Sequence, residues 1–337
     1  MRVEDFTYEL PESAIAQEAI EPRDSARLLD TRDMSDHHFS DLPDLLQTGD
    51  LVVVNDTRVR SARLAGIRSE TGGQVELLVL TARPDGLWEC LARPSRRLRP
   101  GVRLEFEGLS AEIREGPSEG LVIVDFEAPD VEAAIEAAGE VPLPPYFHGE
   151  LDDPDRYQTM FANVPGSSAA PTAGLHFTDR VLEGLRGKGI ETASVDLHVG
   201  VDTFRPIATH NIENHKMHTE WCSIPEETAD AIAAARARSG RVVAIGTTTV
   251  RTLESLANDD GTVTPGAADT DLFLKPGSRF RVVDAMVTNF HVPGSTLVVL
   301  LAGFMGEGWR ETYSTALERG YRFLSFGDAM YVERGET

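Results

Sequence analysis

The sequence predicts an α/β layered domain with an inserted all-β, barrel-like domain, and three observations carry that prediction. Residues 51–54, LVVV, form a short apolar run directly after Thr48-Gly49-Asp50, the pattern of a buried strand. Between about 62 and 127 there is no helical period, only short strand-like segments separated by Gly, Pro and Ser turns. From about 150 onward strands and helices alternate, which implies a layered α/β arrangement. A length of 337 residues fits, because a rough 150 residues per domain makes two domains the default. The expected division is a discontinuous α/β domain, 1–60 and 150–337, around an insert at 61–149.

Each element follows from its local pattern. Within the insert, 74–80 and 87–91 read as strands, and 121–126 as another. Val102, Leu104 and Phe106 alternate with Arg103, Glu105 and Glu107, the period of a half-buried strand. Closely spaced strands of this kind suggest a small barrel or sandwich. Asp130 is placed to cap a helix running to Gly139, and VPLPPYFHG at 141–149 is a proline-stiffened, extended connector. Then come a strand at 190–195, a helix at 226–238 opened by Pro225 and ended by Gly240, and a strand at 242–245. A helix at about 248–257, a strand at 282–287, helices at 295–305 and 309–319, and a last strand near 322–326 complete the series. Residues 258–270 read as a polar loop.

Composition excludes several classes. The start, MRVEDFTYELPE, has acids and a proline where a signal peptide needs an apolar stretch, and the run at 297–305 is too short for a membrane span of about 20 residues. Cys90 and Cys222, far apart, leave no disulfide framework, no four-thiolate zinc site and no cysteine-ligated iron–sulfur cluster. A reducing cytoplasm is the expected compartment. With 55 acids against 32 bases the net charge is -23, so a polyanion is repelled except where basic residues cluster. Arg93, Arg96, Arg97 and Arg99 in ARPSRRLRPG form the densest such cluster, followed by Arg58 and Arg63 in NDTRVRSARL; they read either as phosphate contacts or as solvated turns.

The nucleotide fingerprints GxxxxGK[ST] and strand-borne GxGxxG are absent. Three other segments are candidates for a ligand. RVVAIGTTTVRTLES (241–255) runs from a strand through Gly246 into a helix opened by Thr247, Thr248 and Thr249, where hydroxyls and free N–H groups suit an anion, with Arg251 nearby. APTAGLHFT (170–178) places Thr172 and Gly174 in a small-residue turn before His176, which is either structural or catalytic. VTNFHVPGST (287–296) ends a strand in Asn289, Phe290 and His291; Phe290 either stacks on a base or plugs the core, and Asn289 is suited to reading a base edge. His210, His215 and His218 are close in sequence to Glu220, but the spacing matches no zinc signature; a hydrogen-bonded loop or acid–base duty for His215 or His218 remain.

These segments occur in order with VNDTRV (54–59), TGGQVELLVL (71–80), VPLPPY (141–146), RYQTMFA (156–162), LHVGVDTFRPI (197–207), HKMHTE (215–220) and YRFLSFGDAMYV (321–332). The string resembles the S-adenosylmethionine:tRNA ribosyltransferase-isomerases of queuosine biosynthesis over almost the whole chain. It departs from the family pattern at Ala19 and Ser61, where prolines are usual, and at Gly294, where a basic or polar residue is common. The resemblance implies transfer and isomerisation of the ribosyl part of S-adenosylmethionine onto a 7-aminomethyl-7-deazaguanine base in tRNA. The products would be epoxyqueuosine, adenine and methionine, with no metal or further cofactor. A relative acting on a free deazapurine or other small acceptor, and a non-catalytic RNA-binding relative, are the alternatives.

For that chemistry the sulfonium acidifies the ribose 5′ carbon, adenine leaves with a proton, and the attacking amine must be neutral. Groups titrating near neutrality suit each transfer, which points to His176, His215, His218 and His291. Asp56 and Glu220 are candidates for stabilising the cationic sulfur. The donor is expected between the segments around 172–177, 246–251 and 289–291.

Overall fold

The computed structural model describes residues 1–118, 120–148, 151, 153–200 and 206–335; within the 197–207 motif, 201–205 lie outside the described residues, as does Gly149 of the connector. Two compact units are present, Met1–Arg58 with Pro144–Thr337, and Val59–Leu143.

The first unit begins with strands β1 (Arg27–Asp30) and β2 (Ser35–His38), a short helix α1 (Leu42–Leu45), β3 (Leu51–Asn55) and β4 (Thr57–Val59), the last at the boundary. The second unit holds β5 (Arg63–Arg68), β6 (Gln74–Ala82), β7 (Trp88–Arg93), β8 (Arg103–Phe106), β9 (Leu109–Ser118), β10 (Leu121–Glu127) and helix α2 (Val131–Ala138). Back in the first unit follow β11 (Val164–Ser167), α3 (Asp179–Gly187), β12 (Glu191–Leu197), β13 (Glu220–Ile224), α4 (Glu226–Ala237), β14 (Val242–Ile245) and α5 (Thr247–Ser255). The remainder is β15 (Gly266–Thr270), β16 (Ala285–Asn289), α6 (Thr296–Met305), α7 (Trp309–Glu318) and β17 (Ala329–Glu333).

Among the described residues nine strands of the first unit form one mixed sheet, in the order β15-β13-β12-β3-β14-β16-β17-β1-β2. Its centre, β12-β3-β14-β16, is parallel. The apolar runs have their reason here. Leu51 and Val53 enter one core and Val52 and Val54 the other, and in β14 Val242 and Ala244 are separated from Val243 and Ile245 in the same way. Strands covered on both faces need an apolar residue at every position.

The second unit is a closed barrel of six antiparallel strands, β10-β7-β6-β5-β8-β9. Alternate residues fill it: Val75, Leu77 and Val79 from β6, Trp88, Cys90 and Ala92 from β7, Val122, Val124 and Phe126 from β10. Asp130 caps α2 by accepting the Ala133 N–H at 3.1 Å, and Ile135 joins the barrel core.

Three local expectations are corrected. The strand expected at 282–287 begins at Ala285, because the N–H groups of Arg281, Val282 and Val283 all donate to the buried Glu254 carboxylate (2.7, 3.0 and 2.9 Å) instead of to a neighbouring strand. The strand expected near 322–326 is a turn, with Leu324 at φ +70° and the Gly327 N–H returned to its carbonyl; the strand is β17. The polar loop at 258–270 ends in β15, the sheet's edge strand on β13.

Candidate functional site

At the carboxyl ends of the parallel strands, where α/β sheets bind ligands, the first unit holds a partly open cavity. Three turns build its wall. Gly246, Thr247 and Thr248 come from the β14–α5 junction, Thr172 and Ala173 from a 3₁₀ turn, and Thr288 to Val292 from the end of β16. Ser295 and Leu297 at the start of α6 close it, with Tyr146, Val199, Leu324 and Ser325.

Two helix N-termini therefore face one space. Gly246 sits at φ +87°, a backbone state open to glycine, and turns β14 sharply into α5. Ser295 caps α6 through Val298 N–H. The first N–H groups of each helix have no partner inside the helix and leave that end electropositive.

Asn289 joins the three turns. Its carbonyl oxygen accepts the Thr172 hydroxyl at 2.9 Å, and its amide donates to the His176 ring at 3.3 Å and to the carbonyls of Leu324 and Asp328 at 3.3 and 3.4 Å. Every polar atom of this side chain is occupied within the protein. Phe290 plugs the core: its ring is stacked on Phe323 at 4.6 Å and edge-on to Tyr313 and Tyr321, so it offers no platform to a base. His291 lines the cavity, with Nε2 at 3.2 Å from the Thr288 hydroxyl and its backbone fixed by Tyr8 and Tyr313.

Two of the four histidines, His176 and His291, are not poised near neutrality. Burial pushes His291 down to about 3 and His176 down to about 4. Both rings are neutral at pH 7. His176 lies on the far side of the wall, lining a smaller cavity with Arg23, Arg156 and Ser325. His215 and His218, on the segment leading to β13, are not among the residues lining the main cavity.

Other expected residues make contacts within the protein. Thr249 bonds back to the Ile245 carbonyl at 2.7 Å, Thr248 receives Asn55 Nδ2 at 3.3 Å, and Gly174 packs against Thr159. Glu220 and Arg251 form a buried ion pair behind the wall. Asp56 is half-buried near Asp196; burial, with the Asp196 charge adding to it, raises its carboxyl above the usual range despite a Ser194 hydrogen bond. Sequence reasoning missed Tyr146, Ser325, Thr288 and Val199 as lining residues. The positive φ of Leu324 marks the bend that presents Ser325.

In the barrel unit, Arg93, Arg96, Arg97 and Arg99 are exposed, and none is in an ion pair among the described residues. Arg63 is committed to Glu140 at 2.6 Å and Glu76 at 3.9 Å. Arg58 lines a broad groove of the first unit.

Comparison with known proteins gives a single answer. The family model described as queuosine biosynthesis protein matches residues 3–332. The S-adenosylmethionine:tRNA ribosyltransferase-isomerase of Anaeromyxobacter sp. is 49% identical over 347 residues, covering 100% of both chains. That of Moorella thermoacetica is 48% identical across 98% of this chain and 100% of its own. A crystal structure of S-adenosylmethionine tRNA ribosyltransferase from Thermotoga maritima matches with a TM-score of 0.55 at 35% identity, covering 97% of this chain and 99% of that one. Likeness at this level from end to end, with both the layered unit and the barrel, means that the chain belongs to the queuosine biosynthesis protein family, that of the S-adenosylmethionine:tRNA ribosyltransferase-isomerases.

Proposed function

We propose that this enzyme transfers and isomerises the ribosyl moiety of S-adenosylmethionine onto the 7-aminomethyl-7-deazaguanine base of tRNA, releasing adenine and methionine and leaving epoxyqueuosine. The observation that carries the donor half is the convergence of Thr172, Gly246–Thr248 and Asn289–His291 on one cavity at the sheet's carboxyl edge. Electropositive helix ends suit the donor's carboxylate, and threonine hydroxyls and a neutral imidazole suit its ribose and adenine. His291 acts there as an uncharged hydrogen-bonding partner, not as a stored proton. The polyanionic acceptor is held by the unpaired arginines of the barrel loop. The overall conversion is redox-neutral and its proton transfers can be served by side chains, so no metal or further cofactor is needed.

The test is incubation with S-adenosylmethionine and tRNA bearing the aminomethyl deazaguanine, in chelator-containing buffer, followed by nucleoside mass spectrometry. The expected outcome is a base enlarged by the rearranged pentose, with adenine and methionine released in equal amounts. Equal turnover of the free base would favour a small-acceptor enzyme, and activity restored only by added zinc would refute the metal-free mechanism.

A further inference from the structure

Behind the cavity wall, Arg251 and Glu220 are each about nineteen-twentieths buried. One Glu220 oxygen accepts the Gly200 N–H at 2.7 Å and the other takes Arg251 Nη1. The carboxylate is thus clamped between backbone and guanidinium. Arg251 Nε and Nη2 have no acceptor, although both atoms are closed off from solvent. Buried donors are almost always satisfied, and charged ones are costly to leave bare.

The two bare nitrogens are not an arbitrary pair. In a planar guanidinium the Nε–H and one Nη2–H bond point the same way, side by side, at the spacing of the two oxygens of a carboxylate. Glu220 takes Nη1 at the opposite end and leaves the two nitrogens of this edge without an acceptor. The edge also belongs to the cavity's surroundings. Arg251 follows Thr247 and Thr248 by one turn of α5, and side chains on a helix lean toward its N-terminus, over those two lining residues. Gly200, which anchors Glu220, directly follows Val199, another lining residue. The described lining residues include no aspartate or glutamate to compete with an incoming anion.

We infer that the Nε–Nη2 edge of Arg251 is a two-donor seat for the carboxylate of the donor's amino-acid tail, and that Glu220 is the positioning residue that holds this edge in place. This rests on S-adenosylmethionine being the donor. It replaces the expected role of Glu220 as a partner of the sulfonium. It also makes Arg251 a specificity residue, which separates donors that carry a carboxylate from those that lack one.

Calorimetry with two ligands tests it: S-adenosylmethionine, and decarboxylated S-adenosylmethionine, which keeps the adenosine, sulfonium and amine. Arg251→Met should weaken S-adenosylmethionine roughly tenfold to a hundredfold, the range of a charge-assisted pair, and change the decarboxylated ligand by less than about twofold. Glu220→Gln should give a smaller loss with the same selectivity. Because Arg251→Met takes the guanidinium away from a buried carboxylate, the double variant Arg251→Met/Glu220→Gln is measured alongside it and should show the same selective loss. Equal weakening of both ligands, or of neither, overturns the inference while leaving the donor assignment intact. A wild-type protein that binds neither ligand overturns the donor assignment itself.

Discussion

His291 and His176 sit in a folded protein that holds them neutral, at pKa values of about 3 and about 4. In the unfolded chain a histidine titrates near 6.5. Between the two values the unfolded state takes up a proton that the folded state refuses. The stability that each ring supplies is therefore complete above pH 6.5 and is lost as pH falls toward the folded value. From pH 6.5 to 5 the loss is about 2 kcal/mol per ring. Urea unfolding at pH 7 and pH 5 should show this decline, and His291→Gln should remove part of it; a variant as acid-sensitive as the wild type would contradict the assignment. These two residues also mark how far sequence goes. Small residues beside a histidine or asparagine located the turns that build the cavity. Whether a ring is wet or dry depends on partners far along the chain, such as the Tyr313 ring on Phe290 and the Leu324 and Asp328 carbonyls on Asn289, and no local pattern carries that.

At the scale of elements, the junction of β14 and α5 depends on one backbone state. A Cβ on Gly246 would meet Ala173 at 3.6 Å and the Thr248 hydroxyl at 3.7 Å, which are ordinary contacts. The cost of Gly246→Ala is accordingly the backbone state itself, a positive φ with an extended ψ that is essentially reserved for glycine, about 1–3 kcal/mol. Relief of that strain would swing the first turn of α5 out of the cavity wall. The expected result is a lowered melting temperature together with weaker S-adenosylmethionine binding by calorimetry; unchanged values for both would show that the turn tolerates an L-residue. Helices α4, α6 and α7 were legible within a residue or so, since Pro225, Ser295 and the apolar period set their limits. The elements that were not legible lacked such signals. Edge strand β15, Gly266–Thr270, has no run or alternation of large apolar residues, and the start of β16 is displaced by the carboxylate of Glu254, a residue on α5.

At the scale of the whole molecule, a net charge of -23 has to coexist with a polyanionic acceptor. In the barrel unit Arg63, Arg83, Arg103 and Arg114 all face carboxylates, while the loop of Arg93, Arg96, Arg97 and Arg99 does not. The clustering was visible in the sequence; which arginines are already neutralised was not, because that depends on barrel register. Replacing Arg96, Arg97 and Arg99 with Ala should weaken tRNA binding and reduce the slope of log affinity against log salt by about one for each phosphate that an arginine no longer reaches. Donor binding should stay unchanged. Equal tRNA affinity in the triple variant would move the contact face to the neighbourhood of Arg58.

The order of strands in the large sheet also sets a timetable for a chain made from its amino end. Every barrel strand has its partners within residues 63–127, so that unit is complete in sequence before half the protein exists. The large sheet is not. Central β3 waits for β12 and β14, and β1 finds its parallel neighbour only in β17, Ala329–Glu333. A nascent chain halted anywhere after residue 127 and before residue 329 therefore carries β1 with one bare edge, available to other chains, while the barrel already has all six of its strands.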